Sequence, residues 1–284
     1  MKKNIILSVV CGMVAMASLT SCSDFLQVNA TNQKEMDHSF TTYDELRLAT
    51  AYLYMKPWFG FHSTRLFAMG DARGNNIYGD NNNEQGYAPY CLFTDKPNTP
   101  GLADAWNSLY IVITQADYVI NDYAPQGRLH FDEKLANSCE GEARFMRAAA
   151  YYYLASYWHD VPLMENPLEH TNAFNLAPTR FEDIIRYGIR DLEYAAEYLP
   201  LTDTDGRVTR YSALGLLARY YVTLAAYARG GHCTQATLES YEASDANDLA
   251  EILYGLAKDA AGEVITSQNK YGLMEDYEEI FRVQ

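Results

Sequence analysis

Beyond residue 40, apolar residues recur at spacings of three and four along most of the chain, the period of one buried helix face. From 102 to 123 the stripe is Leu102, Trp106, Leu109, Ile113, Ala116 and Ile120. From 134 to 158 it is Leu135, Cys139, Ala143, Met146, Ala150, Tyr153 and Tyr157. A third stripe after Pro178 runs through Phe181, Ile184, Ile185, Leu192, Ala196 and Leu199. Residues 210–228 repeat the pattern with Leu214, Leu217, Tyr221 and Leu224, and residues 246–267 with Leu249, Leu253, Leu256, Ala260 and Ile265. Thr42 with Glu45, and Thr179 with Glu182, have the spacing of capping boxes. The first opens a helix over 42–56 that Pro57 stops. Sustained strand alternation is absent from the sequence.

Long helices joined by short connections fold back as αα-hairpins. Small residues mark the close crossings: Ala148-Ala149-Ala150, Gly215 with Ala218, and Ala225-Ala226. The predicted class is mostly all-α, a tetratricopeptide-like helical-repeat superhelix. Residues 57–101 do not fit a solenoid. Within them GDARGNNIYGDNNNEQGYAPY, residues 70–90, mixes Asn, Asp, Arg and Tyr with few aliphatics. A loop that long in a compact protein points to function.

The leader changes the compartment. Lys2 and Lys3 precede an apolar run, Ile5 to Leu19, too short to span a bilayer. Residues 1–21 read as a secretory signal, and Leu19-Thr20-Ser21-Cys22 resembles the bacterial lipobox, with Cys22 as the lipidated mature N-terminus. The net charge is −15, and more negative once Lys2 and Lys3 are removed. That balance argues against nucleic acid as a partner, because phosphate binding needs clustered Lys and Arg. Cys91, Cys139 and Cys233 remain, with no CxxC spacing. They read as small apolar side chains, with one bridge between two of them left open.

Residues 140–164, EGEARFMRAAAYYYLASYWHDVPLM, resemble the signature segment of the SusD/RagB family of outer-membrane nutrient-uptake lipoproteins. The matching positions are Glu142, Ala143, Arg144, Phe145, Arg147, Ala148, Tyr151 and Leu154, then Trp158, Asp160, Val161 and Pro162. Ser23-Asp24-Phe25-Leu26 after the lipobox, TRYSALGLLARYYV at 209–222 and YGLMEDYEEIF at 271–281 look like further family segments. The resemblance implies residues 22–284 to be the family's helical-repeat domain, without the C-terminal part that its members carry. It implies no reaction and no cofactor. It implies capture of an oligosaccharide at the cell surface for a TonB-dependent, SusC-like β-barrel transporter. Read from the residues alone, Glu142, Arg144 and Arg147 form a structural charge network, and Trp106 and Trp158 are core.

Sugars are held by aromatic rings under their C–H faces and by amide, carboxylate and guanidinium groups on their hydroxyls. Residues 58–93 hold both kinds, with Phe59, Phe61, Tyr90 and Phe93 among the aromatics. The candidate ligand-binding residues are Arg73, Asn75, Asn76 and Tyr78, with Asp71 orienting Arg73 and Tyr87 or Trp58 as a platform. The competing reading of each is a turn residue in a solvated insertion. Asp80, Asn82 and Glu84 start like an EF-hand loop, but Gln85 and Cys91 stand where Gly and Glu are required. Only a different calcium geometry stays open, and no metal ligand set is expected. Phosphate-loop glycine spacings are missing. Two rival functions remain: a tetratricopeptide-like protein-interaction scaffold and a glycoside hydrolase.

Overall fold

A computed structural model describes residues 40–55, 58–63, 65–74, 76, 87–170, 176–267 and 275–278. The leader, Cys22, Asn75, Tyr78, the Asn81–Asn83 run and most of the 271–281 segment lie outside the described residues. The helices are α1 Tyr43–Ala51, α2 Phe59–His62, α3 Arg65–Phe67, α4 Ala88–Cys91, α5 Leu102–Tyr118, α6 Ala124–His130, α7 Glu133–Trp158, α8 Phe181–Tyr198, α9 Arg210–Arg229, α10 Gln235–Ser240 and α11 Ala246–Ile265. Among the described residues the one strand-like feature is an isolated bridge between Val161 and Thr179. The fold is all-α, as the periodicity predicts.

Neighbours in sequence are neighbours in space. Helix α7 packs on α5 and α8, α8 on α9, and α9 on α11. Leu109, Ile113, Leu154, Ile184, Ile185 and Leu192 are fully buried between them, each worth about 1.5–3 kcal/mol of apolar burial. Gly188 allows a close crossing of α8 and α9: a Cβ there would lie 2.4 Å from the Tyr220 ring. The Tyr220 hydroxyl passes on to donate to the carbonyl of Ala148 at 2.6 Å. This packing order agrees with stacked hairpins, while a repeating superhelix remains a reading of the pattern.

Four expectations change in detail. The stripe over 102–123 is not one regular helix: α5 gives way to a π-helical segment, Val119–Tyr123. Pro125, in the first turn of α6, lacks the N–H a regular helix would use there. Helix α1 stops at Ala51 and tightens to a 3-10 turn, Tyr52–Tyr54; Thr42 is its N-cap and accepts the Glu45 N–H, as the capping box predicts, while the Glu45 carboxylate accepts the Thr41 N–H. At α8 the second capping box does not form. Arg180 is the N-cap, and the Glu182 carboxylate accepts from Thr234 and Thr237 instead. The box that does form joins Thr209 and Ser212 at the start of α9. On α11 the buried face runs Leu249, Leu253, Ala257 and Ala260, leaving Ile265 78% exposed.

The arginines and acids of the signature segment form a buried lattice. Arg147, 3% exposed, grips Asp191 through Nε and Nη2 at 2.8 and 2.7 Å and Asp117 through Nη1 at 2.6 Å. Arg144 bridges Glu140 and Asp191. Glu142, fully buried, accepts from Arg47, Arg207 and Tyr54 at 3.0, 2.6 and 2.9 Å. Arg47 also forks onto Asp203 and holds its carboxyl low, at about 2. These side chains tie α1 and the 203–207 turn to α7, the structural role expected of them. Among the described residues Cys91, Cys139 and Cys233 form no disulfide with one another. Burial pushes the Cys139 thiol up to about 12.

Candidate functional site

After α3 the chain passes into a second π-helical segment, Ala68–Ala72, whose widened turn aims Met69 and Arg73 at one side of the protein. The Gly74 N–H returns to the Gly70 carbonyl at 2.7 Å, and Asn76 N–H to that of Asp71 at 2.9 Å. From the other direction, Lys96 and Thr99 close a turn on each other through Lys96 N–H to Thr99 Oγ1 and Thr99 N–H to the Lys96 carbonyl. Gly101, at φ 91°, then starts α5 beneath the Arg65 guanidinium, which stands where a Cβ would project.

Between these walls lies a cavity of about 860 Å³. Its floor and sides include Met69, Arg73, Tyr90, Asp95, Lys96, Leu102, Trp106, Asn107, Tyr157 and Trp158. Trp106 from α5 and Trp158 from the end of α7 meet edge to face, 5.3 Å between centroids at 82°. Tyr110 braces Trp106 from below at 5.0 Å and donates its hydroxyl to the Pro162 carbonyl. His159, at φ 66°, ends α7 directly after Trp158, and Asp160 accepts the Phe181 N–H at the start of α8. The turn of the signature segment therefore places an indole at the cavity and caps the next helix.

Arg73 donates through Nη1 to Asp95 at 2.6 Å, and its guanidinium lies 5.0 Å over the Phe93 ring. Flat aromatic surface beside fixed donors and acceptors is the chemistry that holds a polyhydroxylated ring.

The candidate residues separate. Arg73 lines the cavity. Its carboxylate partner is Asp95, not Asp71: Asp71 is half-buried and accepts from exposed Asn76 at 3.4 Å. The nearer acid in sequence is thus drawn into the local turn. Trp58 is 8% exposed, stacks on His62 and donates its indole N–H to the Leu53 carbonyl, so it packs as core and offers no open platform. Tyr87 is half-buried against the core and is not part of the cavity wall. Trp106 and Trp158, expected in the core, are half-buried with surface on the cavity. Sequence reasoning also passed over Asp95, Lys96, Asn107 and Tyr157. The available signal was the density of aromatics at the ends of two long helices. Among the described residues no group of three metal-ligating side chains converges, and no helix is long and apolar enough to cross a membrane.

The sequence profile of the SusD-like family described as "Starch-binding associating with outer membrane" matches residues 21–222. The chain belongs to the SusD-like family. A SusD-like protein of Bacteroides ovatus is 30% identical over 270 residues, which cover 92% of this chain and 44% of that protein. A structure solved with xylogluco-oligosaccharide is 29% identical, with a TM-score of 0.68 over 84% of this chain and 43% of that one. A SusD homolog from Bacteroides thetaiotaomicron shares the fold at 22% identity, with a TM-score of 0.65 over 88% of this chain and 45% of its own. The SusD-like chain thus spans less than half the length of these relatives.

Proposed function

We propose that this SusD-like chain is a non-enzymatic, cell-surface oligosaccharide-binding lipoprotein that captures a glycan and hands it to a TonB-dependent, SusC-like outer-membrane transporter. The observation that carries the reading is the cavity in which Trp106, Trp158 and Tyr157 stand beside Arg73, Asp95 and Asn107. The aromatic surfaces take the C–H faces of a sugar, and the polar groups take its hydroxyls. The relative solved with xylogluco-oligosaccharide supports a glycan as the ligand class. Attachment to the membrane is through lipid on Cys22 after removal of residues 1–21, in keeping with a family described as associating with the outer membrane. Asn75 and Tyr78 remain proposed contacts from the loop beside Arg73.

Calorimetry of the purified full chain against a panel of soluble oligosaccharides tests the reading. At least one glycan binds without being turned over. Arg73→Ala and Asn107→Ala each weaken that binding about tenfold, the cost of one charge-assisted or well-placed hydrogen bond. Affinity unchanged in both variants would move the site elsewhere. Turnover of the bound sugar would favour a glycoside hydrolase instead.

A further inference from the structure

Two helices each lend one indole to the cavity. Trp106 stands in the second turn of α5, and Trp158 is the last residue of α7. Both are half-buried, so each keeps open surface and some freedom to turn. A side chain that the ligand itself must hold still costs roughly two- to tenfold in affinity. Whatever orients the two rings before a sugar arrives is therefore part of binding.

Tyr110 is placed to do this. It lies one turn beyond Trp106 on α5, and its ring packs on that indole with 5.0 Å between centroids. Its hydroxyl donates to the Pro162 carbonyl at 2.7 Å. Pro162 comes four residues after Trp158, in the turn that His159 opens at φ 66°. One side chain thus touches the first indole with its ring and the backbone behind the second with its hydroxyl. Burial raises that hydroxyl above the ordinary tyrosine range, so it stays a donor at neutral pH. The same turn has other anchors: the Tyr151 hydroxyl accepts the Met164 N–H, the Val161 carbonyl accepts the Thr179 N–H, and Asn121 donates to the Glu165 carbonyl. Of these bonds, the one from Tyr110 comes from a side chain that is stacked on an indole of the cavity.

We infer that Tyr110 is a positioning residue for ligand capture: standing behind the cavity wall, it holds Trp106 and Trp158 in the edge-to-face orientation on which a sugar ring stacks. The inference rests on the glycan-binding reading and deepens it by naming what preorganises the aromatic surface.

The test combines calorimetry of the full chain, with an oligosaccharide that binds it, and circular dichroism at the long-wavelength indole bands, where tyrosine does not absorb. Tyr110→Phe keeps the ring and removes the bond to Pro162; affinity falls about threefold. Tyr110→Leu removes the brace as well, and affinity falls about tenfold. The part of the indole signal that disappears in Trp158→Phe is reduced in Tyr110→Phe and smaller still in Tyr110→Leu. Asn121→Ala removes a bond of the same kind from the far end of the turn and leaves both affinity and indole signal unchanged. The far-UV helical signal stays the same in Tyr110→Phe, which carries the test even if Tyr110→Leu does not fold. A loss of affinity with the indole signal intact overturns the inference, as does a changed signal with affinity intact. Full affinity and an intact signal in Tyr110→Phe overturn it too, and so does an equal loss in Asn121→Ala; in each case glycan binding still stands. Binding of no oligosaccharide by the unaltered chain removes both this inference and the reading beneath it.

Discussion

Two clusters of arginine and carboxylate sit within the same helical unit and do opposite things. Around α7, Arg147, Arg144, Arg47 and Arg207 meet Asp117, Asp191, Glu140, Glu142 and Asp203 in a buried lattice of mutual ion pairs. At the cavity, Arg73 is 41% exposed, shares one nitrogen with Asp95, and stands beside Lys96, which pairs with no carboxylate among the described residues. The residue types are the same. What differs is whether the charges are spent on one another. Buried charge must be matched or the fold loses several kcal/mol, whereas a surface cavity can hold its donors in reserve. The lattice specifies architecture, and the cavity leaves polar groups exposed beside aromatic surface.

That contrast breaks first at Arg147. Arg147→Ala strands Asp117 and Asp191 in the core and costs about 3–5 kcal/mol, read as a lowered denaturant midpoint. A loss near zero would mean that the lattice is not structural. Gly188→Ala comes next, because the new methyl meets the Tyr220 ring. We expect a loss of about 1–3 kcal/mol in the same measurement. A pH series reads the lattice without mutation. The Asp203 carboxyl is held at about 2, below its ordinary 3.8, chiefly by hydrogen bonds from Arg47. Its contribution is therefore fully present above pH 4 and is lost as pH falls from about 4 towards 2. Asp203→Asn should flatten that part of the stability curve. Smallest of all, Arg73→Ala should shift stability by less than about 0.5 kcal/mol, because its pair with Asp95 is largely solvated. A large loss there would erase the distinction between the clusters.

Much of the helical unit was legible in the sequence. The stripes through Leu109 and Ile113, and through Ile184, Ile185 and Leu192, are buried where the spacing puts them, because helix periodicity is local. Glu142 and Arg147 read correctly as structural charges. The failures were at ends and crossings. Nothing local told that Glu182 would leave its own helix start for Thr234 and Thr237, more than 50 residues on. In the site, composition drew attention to residues 58–93, and Arg73 does line the cavity. Composition did not separate Trp58, whose N–H and faces are consumed by the core, from Trp106 and Trp158, which keep surface on the cavity.

The sequence by itself determined the helical class, the faces of the long helices and the family signature, since periodicity and motifs act over a few residues along the chain. Tertiary structure alone decided that Asp95, not Asp71, holds Arg73. It alone buried the Tyr90 hydroxyl without a partner among the described residues and brought two indoles, 52 positions apart, edge to face at one cavity. Those outcomes depend on which surfaces meet when α5, α7 and the 65–101 segment pack. Pairing and burial between distant segments are properties of that packing, and no single stretch of sequence encodes them.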